Sequence, residues 1–417
     1  MADLLWPGDH RATDHLCDGE VVRAMLRVET AWLSALVEAG VAPTGAAVDL
    51  VRCVGRVDQA ALAEAAEAAE ATGNPVIPLL ALVRDRLADA HPEAALWVHR
   101  GLTSQDVLDT ALVLGLRDAI DAVLRLVDAQ IGSLVDLAER HRADPMAGRT
   151  LTQHAVPITF GLKAAQWLQG VLDARDDLRD ARDRLPVQIG GAAGTLAAPA
   201  ELLRLAGGRG DAVALARAAA ARLELPWAPP WHTARAPLTR VADALTRATD
   251  AWGRIADDVL VLSRPEIAEL AEPSGDGRGG SSTMPQKANP VLSVLVRRTA
   301  LTAPGLAGQL HLAAASSVDE RPDGAWHAEW SPLVQLGRHA LTAAAQTAEL
   351  VADLHVDTGR MARLVQDAGS GLLAEQRSLA DLVGGSHEPD FEPSHYLGST
   401  DTVIDDIVRR ARSGGTR

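Results

Sequence analysis

Aromatic residues are scarce in this chain. Two Phe, one Tyr and nine Trp make up 3% of its 417 residues. Apolar residues reach 47%, so a large core is possible, but it has to be built from Ala, Leu and Val. Such a core suits close-packed helices better than sheets, which favour β-branched and aromatic side chains. Cysteine is nearly absent: Cys17 and Cys53 have no metal or redox spacing and cannot make a disulfide framework, so both are expected as reduced core residues. No run of about 18 uncharged apolar residues occurs, which excludes an evident membrane span. Met1-Ala2-Asp3-Leu4-Leu5-Trp6-Pro7 has no basic stretch followed by an apolar one, so no secretory signal is expected and the protein reads as soluble and cytoplasmic. Positive charge is in deficit, 40 Lys and Arg against 55 Asp and Glu, and the net −15 is spread along the chain. Nucleic acid is therefore not an expected partner. A small anionic substrate stays compatible, because local lysines and arginines overrule the net field. Period-two alternation and repeats of 20–50 residues are missing too.

What is present is helical periodicity. Val22, Met25, Val28 and Trp32 recur at threes and fours over 20–40. An Ala/Glu-rich helix at 58–72 ends at Gly73-Asn74-Pro75, and another spans 79–90. From Ser104, a plausible cap, a rod runs to about Arg142 with Leu116, Ile120, Val123, Val127, Ile131, Leu134 and Ala138 on one face. Further rods are expected from Pro157 to about Leu185, over 237–263, and at 291–315 and 324–353. In the rod at 237–263, Leu238, Val241, Leu245, Ala248, Trp252, Ile255, Val259 and Leu262 share a face. Helices this long without a break suggest a bundle. The expected fold is all-α: a small N-terminal helical domain over 1–98, a central long-helix bundle over 99–354, and a short C-terminal helical domain over 355–417.

Three polar segments interrupt the rods: 99–106, 149–157 and 279–291. The third is the most distinctive. Gly and Pro are dense from Pro273 to Pro290, which makes the stretch a loop, and Pro290 suits the first turn of the helix behind it. Its two serines, lysine and asparagine, with the backbone N–H groups at a helix start, are suited to meet an anion.

Gly280-Ser281-Ser282-Thr283-Met284-Pro285-Gln286-Lys287-Ala288-Asn289-Pro290 closely resembles the signature loop of the fumarase/aspartase superfamily, G-S-S-x-M-P-x-K-x-N-P, at all eight fixed positions of an eleven-residue window. The two earlier polar segments resemble the superfamily's other shared regions in order and spacing, so the resemblance covers nearly the whole chain. It implies a fumarase/aspartase-like fold whose long helices form a multi-helix core in a homotetramer, with active sites where regions from different subunits meet.

Within the superfamily, several stretches resemble the branch that interconverts 3-carboxy-cis,cis-muconate and its lactone in the protocatechuate (β-ketoadipate) pathway. They include Leu5-Trp6-Pro7-Gly8-Asp9-His10-Arg11, Gly101-Leu102-Thr103-Ser104-Gln105-Asp106, Phe160-Gly161-Leu162-Lys163-Ala164-Ala165 and Trp326-His327-Ala328-Glu329-Trp330. Alternatives stay open: a C–N or C–O lyase of the same superfamily, and a non-catalytic structural homologue.

The shared chemistry removes or adds a proton at a carbon next to a carboxylate and passes through a doubly charged aci-carboxylate. By resemblance Ser281 is the proton-transfer residue, with Ser282 as the adjacent alternative. A serine hydroxyl needs its alkoxide stabilised, and Lys287 and local N–H groups are means of doing so. Lys287 and Asn289 match carboxylate-binding positions, as do Thr103, Ser104 and Gln105 at a helix start, and Thr150 and Gln153. His154 is the candidate acid, because histidine is the residue type whose ordinary charge change falls near neutrality. It is also readable as a polar wall residue. His99 is a possible second polar contact, and Arg149 either binds carboxylate or pairs inside the bundle. Leu151 stands where many members carry a histidine after Arg-Thr, which fits a leaving group that needs little acid help. The L-G-R-x-x-A-H element common in the C-terminal domain is missing here. No cofactor or metal is implied, and the expected substrate is a small di- or tricarboxylate.

Overall fold

The computed structural model of the protein describes residues 4–273, 275, 278–280, 283–284, 287–385 and 392–414. Among the described residues the chain is all-α apart from two small two-stranded sheets. After α1 (Asp18–Glu38) and several short helices come α2 (Ser104–Arg140), α3 (Phe160–Asp183), α4 (Ala236–Leu262), α5 (Val291–Ala315) and α6 (Gly324–Ala352).

The predicted apolar faces are the buried ones. Leu116, Ile120, Val123, Val127, Ile131, Leu134 and Ala138 of α2 are all buried, as are the eight apolar positions predicted for α4 from Leu238 to Leu262. Each large aliphatic side chain so covered contributes about 1.5–3 kcal/mol, an upper figure because the unfolded chain is itself partly compact. Cys17 and Cys53 are free thiols, but both are half-buried rather than core residues.

The second polar segment is a β-hairpin, not a plain interruption. β1 (Pro145–Thr150) pairs antiparallel with β2 (Gln153–Thr159). Pro157 pairs with Ala147, so α3 starts at Phe160 rather than at Pro157. Proline is tolerated because a two-stranded ribbon consists only of edges. The turn is made by Leu151 and Thr152 with φ of 47° and 70°. Two positive φ values are the mark of a type I′ turn, which usually takes Asn-Gly. A bulge falls at Gly148, where a Cβ would lie 2.6 Å from the Val156 carbonyl oxygen. β3 (Leu270–Ala271) and β4 (His355–Val356) form the second sheet.

The chain divides into two compact units. The first holds Met1–Ala122, Leu178–Leu245 and Pro304–Thr342. In it the Trp32 indole donates to the Arg100 carbonyl at 2.8 Å, and Arg338 donates to both carboxylate oxygens of Asp9 at 3.0 and 2.6 Å. The second holds Val123–Asp177, Thr246–Ala303 and Ala343–Arg417. Its core contains a buried relay in which Trp252 Nε1 donates to Gln130 Oε1 at 2.8 Å and Gln130 Nε2 donates to the Ala344 carbonyl at 2.9 Å. Gly161 lets α3 cross the end of α2, since a Cβ there would fall 2.6 Å from the Ala138 oxygen.

Candidate functional site

The first polar segment lies in the first unit. His99 has φ 69° and is fixed by Glu29, a buried carboxylate. Its N–H donates to Oε2 at 3.0 Å, and its Nδ1 is 2.6 Å from Oε1. Ser104 is the first residue of α2, so the cap falls one residue earlier than expected, at Thr103. The Thr103 N–H donates back to Asp106 Oδ2 at 3.1 Å, half of a capping box. The Thr103 hydroxyl accepts from Arg321 Nη1 at 2.9 Å. Gln105 is fully buried, and its Nε2 donates to Asp109 at 3.2 Å and to the His232 carbonyl at 2.9 Å.

A buried polar network supports this turn from behind. Asp106 accepts the N–H groups of Gly190 and Gly191 at 2.8 and 2.9 Å, and further bonds from Gln188 and His232. One carboxylate therefore ties the start of α2 to the glycine loop. One turn along α2, Arg235 lies between Asp109 and Glu329 at 2.7 and 2.6 Å, all of them buried. Burial opposes the charge on Arg235, but the two carboxylates outweigh it and hold the guanidinium charged beyond its ordinary range. Burial pushes the Glu329 carboxyl up, against the pull of Arg235. Trp326 Nε1 donates to Asp109 at 2.8 Å.

The second and third segments lie in the second unit. The hairpin sets Arg149 opposite His154 and Thr150 opposite Gln153. Thr150, Gln153 and His154 are exposed, and Leu151 at the tip is 96% exposed. Arg149 Nη1 lies 2.9 Å from Glu269 Oε2. This is an ion pair without an aligned hydrogen bond, and neither buried oxygen of Glu269 accepts one among the described residues. Below the hairpin, Lys163 lies 3.5 Å from Asp258. Burial pushes the Lys163 ammonium down in pKa, and Asp258 pulls it back.

In the signature loop Lys287 is exposed. Asn289 turns its side chain inward, and both its backbone N–H and its Nδ2 donate to the Gly279 carbonyl at 2.9 Å. The N–H groups of Leu292 and Ser293 at the start of α5 are already bonded to Glu272, so they are not open to a ligand as the sequence suggested. Ser281 and Ser282 lie outside the described residues.

Arg321, Asp106, Arg235 and Glu272 are the polar residues that sequence reasoning passed over. Arg321 lies shortly before the 326–330 stretch already singled out, and Asp106 sits within the quoted 101–106 motif. Glu272 had no local signal. Among the described residues no group of three or more His, Cys, Asp or Glu is placed to hold a metal ion, and no helix is long and apolar enough to cross a membrane.

The long-helix fold, with three polar segments interrupting it, defines an enzyme of the fumarase/aspartase superfamily, and the chain belongs to that superfamily's Lyase family, whose model matches residues 12–305. It is 43% identical over 371 residues to a nitrosuccinate lyase from Streptomyces davaonensis, covering 88% of this chain and 77% of that protein. It is 41% identical over 375 residues to a 3-carboxy-cis,cis-muconate cycloisomerase from Bradyrhizobium diazoefficiens, covering 88% and 80%. Among solved structures it resembles the 3-carboxy-cis,cis-muconate lactonizing enzyme from Pseudomonas putida, with a TM-score of 0.83, 32% identity and coverage of 96% and 97%.

Proposed function

We propose that the protein cycloisomerises 3-carboxy-cis,cis-muconate to 4-carboxymuconolactone, by adding an internal carboxylate to the conjugated double bond and protonating the resulting aci-carboxylate on carbon. The observation that carries this reading is the hairpin tip. It presents Thr150, Leu151 and Thr152, two hydroxyls and an apolar side chain, and no acid. A site with a weak acid supply suits a group that leaves as a stable anion, and a lactone carboxylate is one. Ser281 moves the proton, with Ser282 as the alternative. Lys287 supplies charge to the dianion, and Thr103, Ser104, Thr150 and Gln153 offer neutral donors. His154 contributes polarity more than acidity.

A second reading is favoured by the relative at 43% identity: elimination of nitrite from nitrosuccinate. Nitrite is also a weakly basic anion, so the same acid-poor site serves both reactions. The two substrates differ in charge, since carboxymuconate carries three carboxylates and nitrosuccinate two.

The active unit in this proposal is a homotetramer with shared sites, working in the cytoplasm. Val294, Leu301 and Leu312 of α5 are 51%, 72% and 71% exposed in the single chain, which supports burial against other copies. The three-part division at 1–98, 99–354 and 355–417 belongs to the same proposal.

The test is a substrate comparison by ultraviolet absorbance. Carboxymuconate, nitrosuccinate, adenylosuccinate, argininosuccinate, aspartate and fumarate are assayed in parallel, with nitrite measured by colour. Loss of the carboxymuconate chromophore is expected. Nitrite release without it would establish the second reading. Rapid turnover of adenylosuccinate with neither would overturn both.

A further inference from the structure

The signature loop is tied at its neck by two rungs. α5 is preceded by Pro290, whose side chain has no acceptor for the unpaired N–H groups of the first helical turn. Glu272, eighteen positions before Pro290 at the other end of the loop, supplies it. Its Oε2 accepts from the Leu292 N–H at 3.0 Å and its Oε1 from the Ser293 N–H at 2.6 Å. The inner rung is the Gly279 carbonyl, which accepts two bonds from Asn289. This rung requires glycine: Gly279 has φ 69°, and a Cβ there would fall 2.5 Å from the Asn289 oxygen. Glu272 is thus joined to the start of α5 and Gly279 to Asn289, and Ser281 and Lys287 fall in sequence within the crest between them, at positions 280–288.

The outer rung also has an electrostatic consequence. A helix N-terminus carries partial positive charge and attracts anions. Here the chain's own carboxylate occupies it through two charge-assisted bonds. Substrate charge at the crest is then met by Lys287, not by the first-turn amides of α5.

We propose that Glu272 is a positioning residue for the reaction: by bridging the Leu292 and Ser293 amides it fixes the start of α5 and with it the near end of the loop that carries Lys287 and, in sequence, Ser281. This rests on the proposed roles of Ser281 and Lys287. Glu272 touches no reacting atom, and its effect passes through the crest. A misplacement of about 1 Å in a reacting group can cost on the order of 100-fold in rate.

The experiment compares wild type with Glu272→Ala and Glu272→Gln. Hydrogen–deuterium exchange is followed by mass spectrometry on peptides covering 290–296, beside steady-state kinetics, light scattering and thermal melting. For Glu272→Ala we expect faster exchange in that peptide alone and a melting temperature within about 4 °C of wild type, as for a lost helix cap. The kcat should fall about 10–100-fold while KM changes less than about threefold. Glu272→Gln, which keeps one acceptor oxygen, should fall between the two. Unchanged exchange overturns the clamp, and faster exchange with wild-type kcat overturns the positioning role. A kcat loss that only follows loss of folded protein in both variants overturns it as well. If wild type converts neither proposed substrate, the functional reading fails, while the exchange comparison still decides the clamp.

Discussion

The Arg321 guanidinium donates to the Thr103 hydroxyl at 2.9 Å, which places a fixed positive charge at the first turn of α2. Arg321 comes from the connection between α5 and α6 and lies 6.0 Å from the Trp326 ring centroid. A guanidinium here suits a substrate with a third carboxylate. Arg321→Met is expected to raise KM for carboxymuconate about 10–100-fold, the range of a lost charged hydrogen bond of about 1.5–3 kcal/mol. Arg321→Lys should recover part of this, because it keeps the charge and loses the fork. Nitrosuccinate, with one carboxylate fewer, should be affected less. Steady-state kinetics on both substrates checks this, and an unchanged KM for carboxymuconate would place Arg321 outside the site.

Behind that turn, Arg235 neutralises two buried carboxylates at once. Removing one member of a buried ion pair leaves an uncompensated charge and typically costs about 3–5 kcal/mol. Arg235→Met should cost at least that much, because both Asp109 and Glu329 lose their charged partner. The measurement is the shift in the denaturation midpoint. A variant as stable as wild type would show that the network is not needed for folding.

The hairpin tip should respond in the opposite direction. Leu151 and Thr152 hold positive φ, and the left-handed region costs an L-residue roughly 1–2 kcal/mol. Glycine avoids that cost but loses more freedom on folding, about 0.5–1 kcal/mol. Thr152→Gly is therefore expected to stabilise the protein by roughly 0.5–1 kcal/mol, read from thermal melting. Destabilisation would mean that the Thr152 side chain makes contacts that offset the strain.

The long helices were legible because burial follows spacing. The seven predicted α2 positions and eight α4 positions are buried, since nothing in those stretches competes with a 3.6-residue period. The hairpin was hidden for a local reason: its turn is Leu-Thr rather than Asn-Gly, and Pro157 in β2 imitates a helix start. Polar contacts between distant positions were harder still. Glu272 and Ser293 are 21 residues apart, and Arg321 and Thr103 are 218 apart, so no window of sequence shows either pair. Gln105 looked like a ligand donor by motif, yet its amide donates to Asp109 and the His232 carbonyl. Lys287, one of only two lysines in the chain, stands in the most distinctive stretch and is exposed.

The last prediction separates the residues proposed for the reaction. Ser281→Ala removes one hydroxyl, so its stability cost should be small, as for most changes away from a core. Its kcat should fall about 10²–10⁴-fold, the usual value of a positioned proton-transfer group. Lys287→Ala should behave differently. Lys287 is exposed, so folding should not depend on it, but its charge acts on the bound substrate and on the dianion alike. Both KM and kcat should therefore worsen. His154→Ala is the control. The exposed His154 ring lies across from Arg149 on the hairpin, beside a tip that offers no acid. If the leaving carboxylate needs no strong acid, this variant should lose far less than Ser281→Ala. Kinetics of the three variants, with proton exchange at the substrate carbon followed by NMR in D₂O, decides between them. Wild-type turnover and exchange in Ser281→Ala would move the proton-transfer role to Ser282 or His154. A His154→Ala loss as large as that of Ser281→Ala would show that the reaction needs an acid after all, and that its leaving group is more basic than a carboxylate.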